Sequence, residues 1–252
     1  MEQQFVTSLL DAYTKGYEKR YKDARQAPEK KDHYFKVKED LPRVKAVLGF
    51  LQGIIPAGQC QSLLDVGSGR GVFLFPLLRD FPALEVTSID ILPHCVELLE
   101  CLHDGGIGNL HPILGDICTF DAPDSSFDVV TMLEVMEHIP DTETVVRNAV
   151  RLTRNYIVVS VPSKPDDNPE HIHLFTNEDL KSLFLKHGCK KVKFISVTNH
   201  RIMVAYLCMR LSCSTTSGRP SPPHWWTVNG NLRTIRQRAA RWHGNGCGGN
   251  TD

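Results

Sequence analysis

The chain has 252 residues, 41% of them hydrophobic and 23% charged, enough for one large domain with additions and a sizeable core. Its 29 basic and 29 acidic residues cancel, so no net field draws it to nucleic acid or to an anionic membrane. The eight cysteines are scattered without a C-x-x-C pair, which argues against a zinc site or a disulfide framework and for reduced thiols.

The opening stretch, MEQQFVTSLLDAYTKGYEKR, carries acids where a signal peptide needs an apolar core, and no apolar run reaches the roughly 18 residues of a membrane span. A soluble, cytoplasmic protein is expected. Residues 1–50 read as a helical cap. Between Phe5 and Lys45, charges of both signs alternate with Tyr17, Tyr21, Tyr34 and Phe35. Such an amphipathic surface can dock on a larger domain or close over its cleft as a lid.

Residues 51–211 form the main domain. Ser62–Val66 reads as a buried strand, the glycines behind it as a loop, and GVFLFPLLRDF as a helix with Pro76 in its first turns or bending it. Leu84–Asp90 is the next strand and PHCVELLECLHDGG the next helix. LHPILGD, FDVVTML and NYIVVSVP follow as strands, with a helix over Asp141–Thr153 between the last two. Short apolar strands alternating with helices predict a parallel sheet covered on both faces. NEDLKSLFLKHG is a helix ending at Gly188, and KVKFISV and IMVAYLCMRL form a hairpin through TNHR, so one of them runs antiparallel to its neighbour. Residues 212–252, rich in Gly, Ser, Pro and Arg, read as a disordered basic tail, whose tryptophans could alternatively engage RNA or an acidic partner.

The chemistry is carried by three strand ends. In DVGSGRG, Gly67, Gly69 and Gly71 remove the Cβ atoms that would block a ligand and permit positive φ between strand and helix. Asp90 ends the next strand, where a carboxylate can accept hydrogen bonds from both hydroxyls of a ribose or cap a helix. Asp116 ends the third, where it can take a proton from an adenine amino group while Ile117 packs on the ring, or serve as a turn residue. A dinucleotide loop needs G-x-G-x-x-G, and that pattern fails at Val72. An acid in front of the loop, Asp65, suits a ligand with an ammonium and a sulfonium and repels a pyrophosphate, which points to S-adenosylmethionine.

Asp65 to Gly71 with Ser68, Asp90, Gly115-Asp116 and the segment FDVVTMLEVMEHIPD resemble the class I S-adenosylmethionine-dependent methyltransferases, within them the group containing ubiquinone-biosynthesis-type O-methyltransferases. The resemblance covers Cys60 to Leu207. It implies an α/β fold, a doubly wound Rossmann-like sheet of seven mostly parallel strands with one antiparallel strand. It also implies that Asp65 and the Gly67–Gly71 loop face the methionine part of the cofactor, Asp90 the ribose, and Asp116 with Ile117 the adenine, with Ile91 a further cofactor-binding residue. By the same carry-over, Glu134 lines the methyl-donor cleft.

Methyl transfer is an in-line displacement on an activated carbon, so alignment and exclusion of water matter most, and a base is needed only where the acceptor must lose a proton. His138 and His173 are the candidate catalytic histidines, with His171 beside them. The favoured reading is transfer to an oxygen, nitrogen or carbon of a small-molecule acceptor, with no metal. A second reading rests on Glu134, Glu137 and His138 at i, i+3 and i+4, one face if helical, which with His171 or His173 make a two-carboxylate, two-histidine cation site. That set resembles the Hen1-type methyltransferases of the RNA 3′-terminal 2′-hydroxyl. A third is a non-catalytic scaffold with this fold.

Overall fold

Ser62–Val66 forms the first strand, β1, and lies near the middle of the sheet that organises the molecule. The computed structural model describes residues 2–24, 27, 29–30, 35 and 40–207. The expected tail from residue 212 falls outside them, as do residues 208–211 of the expected last strand. After β1 come β2 (Glu85–Asp90), β3 (Leu110–Leu114), β4 (Phe127–Leu133) and β5 (Thr153–Pro162), then β6 (Lys191–Val197) and β7 (His200–Tyr206). Their order across the sheet is β3-β2-β1-β4-β5-β7-β6, and β7 alone runs against its neighbours β5 and β6. The seven-stranded, mostly parallel sheet with one antiparallel strand is the one expected.

The central strands are apolar runs because both of their faces are covered. Leu63, Leu64, Val129, Val130, Ile157, Val158 and Val159 have no exposed surface. Helices α1 (Glu2–Tyr21), α2 (Pro42–Ile54), α3 (Leu74–Asp80), α4 (Pro93–Asp104), α5 (Thr142–Leu152) and α6 (Asn177–Lys186) supply the cover. Pro76 falls in the first turn of α3, where its missing N–H breaks no helical bond. Asp141 lies just outside α5 and caps it, accepting the Thr144 N–H at 3.0 Å. Thr176 and Asp179 form a reciprocal capping box on α6.

The N-terminal helix is docked. Its Arg20 reaches Asp104 at 2.8 Å and also pairs with Glu100, both on α4. The two backbones approach so closely that a Cβ at Gly16 would lie 1.8 Å from the Cys101 carbonyl oxygen. None of the described helices is long and apolar enough to cross a membrane.

Candidate functional site

The strand order reverses between β1 and β4, which leaves a crevice beyond their carboxyl ends where the loops diverge. The glycine loop leaves β1 on one side of it. Gly67, Gly69 and Gly71 all take positive φ, at 68°, 52° and 82°. A Cβ at Gly67 would come within 2.7 Å of Val135 Cγ2, so the loop packs directly on the segment that follows β4. At Gly69 the same atom would meet open space, its nearest neighbour being the Gly67 carbonyl at 4.0 Å. Bare backbone therefore faces the crevice.

Asp65 sits beneath this loop, 2% exposed. It accepts the hydroxyls of Ser68 at 2.6 Å and Thr131 at 2.7 Å. Burial pushes its pKa up to about 6 against those two bonds, and the nearby Asp90 charge adds to the rise. Asp90, one strand over, accepts the Gly69 N–H at 2.8 Å on one oxygen and the Leu92 N–H at 2.9 Å on the other. Each oxygen keeps a lone pair for a ligand hydroxyl. Beside it Ile91, the residue after β2, is 66% exposed. Asp116 follows β3; it is exposed and accepts the Cys118 N–H at 2.8 Å, while Ile117 is buried. The acids expected at three successive strand ends stand there.

The rim beyond β4 is built differently. Glu134 is the first residue after the strand and has φ 58°, a left-handed conformation that costs a side-chain-bearing residue about 1–3 kcal/mol. Its N–H donates to the Ser160 carbonyl at 2.9 Å, extending the sheet by one rung. One carboxylate oxygen accepts the Ser160 hydroxyl, and the other lies 3.1 Å from His200 Nε2. The expected helical face over Glu134, Glu137 and His138 does not form. Only Met136–His138 coils, as a single 3₁₀ turn, because the sheet holds Glu134 in a non-helical conformation.

Glu137 and His138 nevertheless meet a third group. The Glu137 carbonyl accepts the N–H groups of Ile172 and His173 at 2.9 and 3.3 Å, which lays residues 171–173 against the 3₁₀ turn. A Glu137 carboxylate oxygen and one ring nitrogen each of His138 and His171 then lie within 4.8 Å of one another. His138 Nδ1 donates to the Glu170 carbonyl at 3.1 Å, and His171 Nδ1 faces Asp166 at 2.9 Å. An imidazole whose Nδ1 carries the proton has its lone pair on Nε2, the atom with which it binds a metal ion. Glu137 has no exposed surface, and neither of its oxygens has a hydrogen-bond partner among the described residues. Burial, with the Glu134 charge behind it, pushes its pKa up to about 8, while its own N–H and Arg43 pull the other way.

Glu134 and His173 stand outside this cluster. His173 donates Nε2–H to the Ile139 carbonyl at 3.1 Å, which leaves Nδ1 as its basic atom. A cleft of about 220 Å³ opens beside His171, walled by Pro162, Lys164, Asp166, Ile172 and Leu174. Ile172 and Leu174 are 52% and 48% exposed. Asp166, Ser160 and His200 escaped the sequence reading. Asp166 carried one signal: an acid five residues before a histidine in an extended, proline-punctuated stretch.

A family model described as a methyltransferase domain matches residues 22–193. The ubiquinone biosynthesis O-methyltransferase of Paracidovorax citrulli (strain AAC00-1) is 31% identical over 111 residues, 42% of this chain and 44% of that protein. The chain thus matches less than half the length of this curated relative. The solved phosphoethanolamine N-methyltransferase 2 of Haemonchus contortus, in complex with phosphomonomethylethanolamine and S-adenosylhomocysteine, superposes with a TM-score of 0.56 at 15% identity. That match covers 64% of this chain and 52% of the other. The methyltransferase domain of bacterial CtHen1-C gives 0.53 at 19% identity, covering 66% and 96%. These two likenesses concern the fold alone.

Proposed function

The chain belongs to the class I S-adenosylmethionine-dependent methyltransferases, and from that premise we propose that it methylates a hydroxyl oxygen of a small-molecule acceptor, with a divalent cation held by Glu137, His138 and His171. The observation that carries the reading is the Glu137 carboxyl, fully buried and without a hydrogen-bond partner among the described residues, beside two imidazoles. An unpaired buried carboxylate is costly, and a cation removes that cost. One carboxylate and two imidazoles suit a first-row divalent ion such as Mn²⁺, Fe²⁺, Co²⁺ or Zn²⁺ rather than Mg²⁺, and such an ion favours an oxygen as the atom brought to it.

When bound, S-adenosylmethionine supplies a methyl group on a sulfonium, and the cation lowers the pKa of a hydroxyl at its open position. The chain's own residues do the rest. Asp90 and the Gly69 backbone orient the ribose end of the donor, with Ile91 against its base side. Asp65 fixes the loop that approaches the methionine end. Glu137, His138 and His171 would hold the ion, and His173, through Nδ1, would take the proton of the acceptor hydroxyl. Ile172 and Leu174 cover the acceptor's apolar part and exclude water.

A second reading, the 2′-hydroxyl at an RNA 3′ end, draws on the same cluster, since a terminal ribose offers two adjacent hydroxyls to one cation. Labelled methyl transfer from S-adenosylmethionine, run on a metabolite pool and on total small RNA with and without EDTA, separates the two. We expect label in the metabolite fraction, lost with EDTA and restored by Mn²⁺. Label confined to RNA selects the second reading, transfer indifferent to EDTA removes the cation, and no transfer by protein that binds S-adenosylhomocysteine leaves a scaffold.

A further inference from the structure

Glu134 is a constrained residue with no place in the cluster of Glu137, His138 and His171, and its constraint comes from the far side of the sheet. Its φ of 58° starts the turn that carries Val135 onto the glycine loop and then delivers Glu137 and His138. A residue keeps such a conformation only where its surroundings hold it there. Two side chains do so. Ser160, fully buried on β5, donates its hydroxyl to one carboxylate oxygen. His200, the first residue of β7, places Nε2 3.1 Å from the other.

His200 is itself aimed. It follows a two-residue turn in which Asn199 takes φ 63°, and its Nδ1 lies 3.0 Å from the Thr198 carbonyl. A carbonyl only accepts, so Nδ1 donates there, and Nε2 then faces a carboxylate that also only accepts. Nε2 and the Glu134 carboxylate thus stand at ion-pair distance. Both groups are only about one-fifth exposed, at 21% for His200 and 22% for Glu134, so water competes weakly for this bond.

We infer that His200 is a positioning residue: together with Ser160 it clamps Glu134 and so sets the turn that holds Glu137 and His138 in register with His171. The inference rests on the cation reading for its consequence, though the clamp itself does not need a cation. Through it the antiparallel β6–β7 hairpin, which contributes no residue to the cluster, governs the geometry of the reaction site.

Amide hydrogen exchange on the ligand-free protein tests the clamp, and Mn²⁺ titration followed by the water proton relaxation rate tests its consequence. In His200→Ala, exchange in residues 133–139 is expected to rise about tenfold while the core strands stay protected, and Mn²⁺ affinity to fall about tenfold. His200→Gln, whose amide N–H can still donate to Glu134, should restore most of both, as a purely space-filling role would not require. Ser160→Ala loosens the same segment and provides a second route should His200→Ala fail to fold. Unchanged exchange at 133–139 in both alanine variants, or a glutamine variant as loose as alanine, overturns the inference. Wild-type protein that binds no Mn²⁺ overturns the cation reading alone, since the exchange result stands without it.

Discussion

At the carboxyl ends of β1 and β2, Asp65 accepts hydroxyls from Ser68 and Thr131, and Asp90 accepts backbone N–H groups from Gly69 and Leu92. Beyond β4, the Glu137 carboxyl is buried as deeply, and no other described residue donates to it. Both rims belong to one sheet and are joined where Val135 meets Gly67. The first offsets part of the desolvation of its acids with internal donors, so it is preformed before any ligand arrives. The second keeps one carboxyl uncompensated, and such a group is stable only when neutral or when something positive joins it. The donor half of the site is thus structurally finished, while the acceptor half is chemically incomplete.

The widest separation between the halves should come from Glu137→Gln. The side chain keeps its shape and loses its charge, so we expect cation-stimulated transfer to fall at least 100-fold while S-adenosylhomocysteine still binds, as read by isothermal titration. The same variant removes a pH effect. The Glu137 pKa is raised from its ordinary 4.5 to about 8 in the folded chain. Between those values the unfolded chain has released this proton and the folded chain keeps it, so stability falls as pH rises through the window. Asp65 acts in the same direction, with its folded pKa at about 6, so the loss between pH 6 and pH 8.5 belongs mainly to Glu137. Melting curves at those two pH values should show a drop in the wild type, reversed by Mn²⁺, and little of either in Glu137→Gln. A wild type that melts identically at both would mean Glu137 has found a partner.

Asp90→Ala probes the finished half and carries a smaller penalty. Losing hydrogen bonds to a charged acceptor costs about 1.5–3 kcal/mol, and the Gly69 N–H loses its anchor as well. Cofactor affinity should fall by about 10- to 150-fold on that scale, with Mn²⁺ binding unmoved. Titration of both ligands checks the contrast directly. If Mn²⁺ binding fell in step with cofactor binding, the halves would be one cooperative unit.

The same contrast explains what could be read in the sequence. The donor half was legible because its acids are local: each follows an apolar run, and the strand's end fixes where the carboxylate goes, so Asp65, Asp90 and Asp116 fell into place together. Boundaries moved by one to three residues, the most at the helix read from Gly71, which starts at Leu74. LHPILGD shortens to Leu110–Leu114, after which the Gly115 N–H donates once more to the Asp90 carbonyl at 3.0 Å. The acceptor half depends on contacts between distant segments. Spacing put Glu134, Glu137 and His138 on one helical face, yet the Ser160 carbonyl draws Glu134 into the sheet instead. Alternation could not choose between His171 and His173. The choice is made by Glu137's carbonyl taking the N–H groups of Ile172 and His173, and by Asp166 taking the His171 ring. His200 depends on the register of an antiparallel hairpin, Val197 opposite His200 across a two-residue turn, which no local pattern reveals.

Ser68→Ala asks the finest question, whether the donor half is finished by redundancy or by each bond in turn. Ser68 Oγ lies 2.6 Å from Asp65 and 2.6 Å from Ser88, bridging β1's acid to β2 beneath the loop. Its removal leaves Asp65 with the Thr131 hydroxyl at 2.7 Å and the same desolvation. One hydrogen bond to a charged group is worth about 1.5–3 kcal/mol at most, and Ser88 can turn its hydroxyl toward the freed oxygen, so a loss of about 1 kcal/mol is expected. The deficit should grow as pH rises through about 6, because only the ionised Asp65 misses the donor. Denaturant unfolding at pH 5 and pH 7.5 measures it. A deficit that shrank with pH would mean that Asp65 stays protonated and that the loop is held by neutral bonds, leaving no anion at the donor end of the crevice to face a sulfonium.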